Sequence, residues 1–173
     1  MNSTSDLDLD AVVVVALGGN LPGAYASSEA LLEAALGAFA SVGLPLARRS
    51  RWWRSAAWPD PETPEYRNGV VLVETVLAPR ETLAALHGIE ARFGRRRGLV
   101  NAPRTLDLDL VAHGRTVTHE GDFVVPHPRA HERLFVMGPL AEIAPQWRHP
   151  VLGRTAAELA AAAVIGTDAA PLG

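Results

Sequence analysis

Val12 to Leu17 is an unbroken apolar run that opens with four valines. Its length and β-branching predict a strand buried on both faces, and it is far too short to cross a bilayer. Gly18-Gly19-Asn20 then turns the chain. The apolar period next lengthens to that of a helix. Leu31, Leu32, Ala35, Leu36 and Phe39 form one stripe, with Ser27 or Ser28 placed to cap it. This predicts a helix to about Val42, stopped by Gly43 and Pro45. A second strand is expected over Arg48 to Ala56, followed by a proline-dense loop from Pro59 to Pro64. Arg67 to Leu77 is β-branched and reads as a third, central strand.

Pro79 at a first helical position opens a second helix. Its stripe is Leu83, Leu86, Ile89 or Glu90, and Phe93, and Gly94 is its stop. After a basic loop, Arg104 to Val111 predicts a fourth strand, and helical stretches follow over Glu132 to Ile143 and Thr155 to Val164. The order β-α-β-β-α-β with a carboxyl-terminal helical extension defines an α+β chain, the ferredoxin-like plait. Its expected form is a four-stranded antiparallel sheet with helices on one face. Residues 11–165 are read as a single domain, with loose tails at 1–10 and 166–173. That fold serves RNA binders, metal chaperones and transferases alike, so it names no function.

Composition narrows the choice. At 173 residues and 48% hydrophobic, the chain can build one core and not two. It has no cysteine, which excludes a disulfide framework, a thiolate zinc site and a cysteine nucleophile. The polar, acidic start and the absence of a long apolar segment predict a soluble cytoplasmic protein with no membrane association. A net charge of −3 argues against a general nucleic-acid binder. All sixteen basic residues are arginine, so only clustered arginines carry weight.

The segment richest in chemistry is Arg104-Thr105-Leu106-Asp107-Leu108-Asp109-Leu110. Strict alternation sends the leucines to the core and Asp107 and Asp109 together to the other side. Two residues along a strand advance about 6.5–7 Å, so both carboxylates could touch neighbouring metal ions. Mg²⁺ is usually held by one or two carboxylates plus substrate phosphates. An ordinary solvated acidic face would read the same way. Just upstream lie Arg95-Arg96-Arg97 and a loop from Gly98 to Pro103, which could fork the oxygens of a polyphosphate. Val125-Pro126-His127-Pro128-Arg129 holds a histidine between prolines, and Arg133 and Phe135 follow. In Glu65-Tyr66-Arg67-Asn68-Gly69, Tyr66 could stack on a flat ring and Asn68 could both donate and accept at its edge. Trp52, Trp53 and Trp58 read as packing rather than as a cofactor box.

Together these pieces resemble the 6-hydroxymethyl-7,8-dihydropterin pyrophosphokinase family of folate biosynthesis. The resemblance runs from Val13 to about Pro145. It covers Ala16-Leu17-Gly18-Gly19-Asn20-Leu21, Tyr66-Arg67-Asn68, Ile89-Glu90 with Gly94-Arg95, Ala102 through Asp109, and Pro126-His127-Pro128 with Arg133. It implies transfer of the β,γ-diphosphoryl group of ATP to the pterin hydroxymethyl oxygen, with release of AMP. By resemblance Asp107 and Asp109 hold two Mg²⁺ ions, and Arg95, Arg97 and Arg104 act on the phosphates. His87, Glu90, Arg97, Arg104, Leu110, His127 and Arg133 fall at the ATP site. Ser55, Ala56, Trp58, Tyr66, Asn68 and Phe135 fall at the pterin site, and a monomer is implied. Ser55-Ala56-Ala57 stands where many members carry a threonine and prolines, and the Gly98–Asn101 loop is about one residue short. A non-catalytic pterin or nucleotide binder stays open as the alternative. An RNA-binding module fits less well, because Val70 to Val73 and two aspartates occupy strands that would have to be basic and aromatic.

Overall fold

The computed structural model describes residues 7–56, 64–94 and 105–172. Strand β1 (Val13–Gly19) is an interior strand of the sheet. It pairs antiparallel with β4 (Tyr66–Val73) on one side and with β5 (Asp107–His113) on the other. The continuous valine run has its cause here. Val13, Val15 and Leu17 enter one hydrophobic core, while Val12, Val14 and Ala16 enter a second. Burying an aliphatic side chain of this size stabilises by about 1.5–3 kcal/mol, so neither face of β1 can be polar.

The first core lies under α1 (Ser28–Phe39) and α2 (Pro79–Arg92). Ser27 caps α1 by accepting the Ala30 N–H at 3.0 Å, and a short 3₁₀ turn, Ala40–Val42, carries the helix on to the predicted limit. Glu81 accepts the Ala78 N–H at 2.8 Å at the start of α2. Gly94, at φ 87°, ends that region in the left-handed conformation its sequence position suggested.

The expectation of helices on one face needs correction. The carboxyl-terminal extension packs α3 (Leu134–Ile143) and α4 (Ala156–Ala162) on the opposite face, over the second core. Val14 and Ala16 of β1 and Val70 and Leu72 of β4 are apolar on this face and must be covered by something, and these helices cover them. The predicted second strand is two, β2 (Leu46–Arg49) and β3 (Trp53–Ser55), both paired with β4. The break lets Trp53 swing over α3. Its ring rests on Gly138, where a Cβ would meet it at 2.6 Å, and its Nε1–H donates to Glu142 at 3.1 Å.

Two further strands, β6 (Thr118–Glu120) and β7 (Phe123–Val125), form a hairpin that the periodicity did not predict. The stretch beyond Gly166 was expected to be loose. It instead adds β8 (Ala170–Pro171) to the free side of β3. Among the described residues no helix is long and apolar enough to cross a membrane.

Candidate active site

The C-terminal end of β1 meets the N-terminal ends of β4 and β5, and this end of the sheet carries the chemistry. Register places Asp109 opposite Ala16, Asp107 opposite Gly18, and Asn68 on the other side of Gly18. Leu106, Leu108 and Leu110 enter the first core, so Asp107 and Asp109 are turned away from it and left half-buried. Two clefts open here, and both are lined by Asp107 and Asp109.

The larger cleft, about 630 Å³, lies between α2, β5 and the β6–β7 hairpin. His87, Glu90, Leu110 and His127, all expected at a nucleotide site, line it. Glu90 plays a part the sequence did not reveal. It is only 1% exposed, and its Oε2 accepts the Leu108 N–H at 2.8 Å. It thereby fixes α2 to the residue between the two aspartates.

His127 is set by its backbone. Its Nδ1 accepts the Arg129 and Ala130 N–H groups, both at 3.1 Å. Burial, reinforced by Arg133 and Arg129 and only partly opposed by Asp107, pushes its pKa down to about 4. At neutral pH the ring is therefore uncharged with its proton on Nε2, a fixed donor for an anionic ligand.

Sequence reasoning missed Glu120, Asp122 and Arg80, which also line this cleft. Arg80 pairs with Glu120 at 2.7 Å and lies 4.4 Å from the centre of the Phe123 ring. The available signal was Glu120-Gly121-Asp122 between β-branched residues, a hairpin turn with Gly121 at φ 60°.

The smaller cleft, about 330 Å³, is lined by Tyr66, Asn68, Ser55, Ala56 and Phe135, all expected there, together with Ile165, which was not. Asn68 is buried, and its Nδ2 donates to Ser55 Oγ at 2.9 Å, leaving its carbonyl oxygen for a ligand. Arg133, expected at the nucleotide, lines this cleft instead, with its guanidinium carbon 5.9 Å from the centre of the Phe135 ring. Its charge still helps lower the His127 pKa, so it lies within electrostatic reach of the larger cleft. Arg95, Arg97, Arg104 and Trp58 lie outside the described residues.

Two clefts that converge on a carboxylate pair could serve a two-substrate phosphoryl-transfer enzyme, with room for a donor, room for an acceptor, and between them carboxylates of the kind that bind metal ions. The sequence profile of the 7,8-dihydro-6-hydroxymethylpterin-pyrophosphokinase (HPPK) family matches residues 14–145. The chain belongs to this family of enzymes. It is 42% identical over 147 residues to a 2-amino-4-hydroxy-6-hydroxymethyldihydropteridine pyrophosphokinase of Synechocystis, covering 84% of this chain and 73% of that one. To the protein of the same name from Pseudomonas aeruginosa it is 40% identical over 151 residues, covering 87% and 90%. A crystal structure of Plasmodium falciparum HPPK-DHPS with pteroate shares the fold, with a TM-score of 0.68 at 13% identity. That match covers 87% of this chain and 44% of the Plasmodium chain.

Proposed function

We propose that this chain transfers the β,γ-diphosphoryl group of ATP to the hydroxymethyl group of 6-hydroxymethyl-7,8-dihydropterin, releasing AMP, as a step of folate biosynthesis. The observation that carries the reading is the sharing of Asp107 and Asp109 by two otherwise separate clefts. ATP takes the larger one, with its triphosphate toward the aspartates and His127 donating to it from Nε2. The pterin takes the smaller, its flat ring between Tyr66 and Phe135 and its N–H-rich edge at the Asn68 carbonyl oxygen. The hydroxymethyl oxygen attacks the β-phosphorus. The bond from that phosphorus to the α,β-bridging oxygen breaks, AMP leaves with the bond's electrons, and the hydroxyl proton passes to water or a phosphate oxygen. No side chain needs to form a covalent intermediate; the protein contributes position and charge.

The donor set fits Mg²⁺. Among the described residues there is no group of three or more His, Cys, Asp or Glu that could hold a metal. Two carboxylates completed by phosphate oxygens and water are the usual magnesium arrangement. Two Mg²⁺ ions, when bound, would supply charge neutralisation across the triphosphate. Arg95, Arg97 and Arg104 would complete the phosphate contacts. Action as a monomer in the cytoplasm belongs to the same proposal.

The test is to incubate the protein with ATP, Mg²⁺ and the pterin and to measure AMP and pterin diphosphate. Equal yields of the two are expected, and Asp107→Ala and Asp109→Ala should each lower the rate by at least about 10²–10³-fold. Pterin binding without AMP would instead favour the non-catalytic binder.

A further inference from the structure

Beyond α4 the chain returns along the mouth of the smaller cleft and is fastened to both of its walls. On one side the Val164 and Ile165 amides donate to the Glu132 carbonyl at 3.1 and 3.0 Å, and the Leu134 amide donates to the Ile165 carbonyl at 2.9 Å. These bonds grip the turn that launches Arg133 and Phe135. On the other side β8 pairs with Trp53 and Arg54 of β3, and the Leu172 amide donates to the Trp52 carbonyl at 3.0 Å. Between the two anchors, Asp168 Oδ2 accepts the Ala56 N–H at 2.6 Å.

Gly166 adds a second, independent observation. Its φ is +67°, and a Cβ there would overlap the Phe135 ring, with Cε1 at 2.8 Å. The ring therefore rests against the bare backbone of this segment. A side cavity of about 500 Å³, bounded by Ser55, Ala56, Phe135 and residues 165–168, adjoins the cleft at the same place.

We propose that residues 164–172 act as a strap that sets the width and polarity of the pterin cleft. Asp168 is a positioning residue for Ala56, and Gly166 is the backing for Phe135. The inference rests on reading the smaller cleft as the pterin site. An exposed loop amide would ordinarily exchange between water partners, whereas a carboxylate holds it in one charge-assisted geometry. Engaging the Ala56 N–H also removes a donor from the cleft edge, just as Ser55 engages the Asn68 Nδ2 donor. The Asn68 carbonyl oxygen is then the acceptor of this edge, with the second Asn68 Nδ2 hydrogen and the Ser55 O–H as donors beside it. That set suits a ring with N–H groups next to an acceptor, such as the amino-pyrimidinone edge of a pterin.

The test measures binding of 6-hydroxymethylpterin to the full chain, with Mg²⁺ and a non-hydrolysable ATP analogue present. The analogue's own affinity and the melting temperature are measured alongside. Asp168→Ala should weaken the pterin by about three- to tenfold while analogue affinity and melting temperature hold. Asp168→Asn keeps an oxygen acceptor and should restore most of the loss. Gly166→Ala should weaken the pterin as well, by displacing Phe135. Unchanged pterin affinity in Asp168→Ala would overturn the strap. So would a parallel loss of analogue affinity and melting temperature, or an Asn variant as weak as Ala. Phe135→Ala and Asn68→Ala separate the two levels of the argument. If they lose the pterin and Asp168→Ala does not, only the strap fails; if none of them loses it, the assignment of the cleft fails too.

Discussion

His127 owes its chemistry to two backbone amides. The same arrangement recurs at His149, whose Nδ1 accepts the Val151 and Leu152 N–H groups at 3.1 Å and whose pKa burial also pushes down to about 4. A histidine followed by proline thus serves twice as a turn cap, and only His127 also lines the larger cleft beside the aspartates. Both rings should titrate near 4 in the ligand-free protein, and His127 should show the Nε2–H tautomer by nitrogen NMR. A His127 titration near 6.5 would remove its role as a neutral donor. The sign for stability follows from linkage. Both groups have folded pKa values below the unfolded value, so the stability they contribute is complete above about pH 6.5 and is lost as pH falls toward 4. The denaturation midpoint should drop across that window. At this scale the aspartate pair was legible, because alternation along a strand leaves a mark in sequence. The fixed tautomer was not, because it depends on where two later amides fold back.

At the scale of elements, Glu90 joins α2 to β5 and Trp53 joins β3 to α3. Glu90→Ala would leave the Leu108 N–H buried without its acceptor, a cost of about 1–3 kcal/mol, and would loosen the strand between Asp107 and Asp109. A lowered melting temperature and lowered turnover are both expected, and Glu90→Gln, which retains an acceptor, should be milder on both. Gly138→Ala would drive a methyl into the Trp53 ring. The expected penalty is about 1–3 kcal/mol of overpacking, read from denaturant unfolding. The helices and the central strands were legible because their apolar periods are long and regular. The β6–β7 hairpin and β8 were not, for they span only two or three residues each and exist because a partner edge pairs with them. The second helical layer was half legible. The two-sided burial of β1 demanded a cover, but the alanine-rich pattern of α4 did not say which face it would take.

For the molecule as a whole, the charge of the larger cleft poses a problem that its ligand must solve. Glu90, Asp107, Asp109, Glu120 and Asp122 all line it, and among the described lining residues the arginine is Arg80, already paired with Glu120. His127, held near 4, adds no positive charge at neutral pH. A triphosphate entering such a cleft meets repulsion of about 1 kcal/mol per near carboxylate even at high effective dielectric, unless cations enter with it. Metal should therefore decide nucleotide binding. With Mg²⁺ and a non-hydrolysable ATP analogue at a hundred times its dissociation constant, the melting temperature should rise by about 5–10 °C, and with EDTA the rise should vanish. Asp107→Asn and Asp109→Asn make the sharper test, because they should invert the pattern. Removing a carboxylate weakens the metal-loaded complex but relieves repulsion in the metal-free one. The variants should thus bind the analogue more tightly than the unaltered protein in EDTA and less tightly in Mg²⁺. If both complexes weaken in parallel, the aspartates are holding the cleft's shape, and the metal bridge between the two substrates must be sought elsewhere.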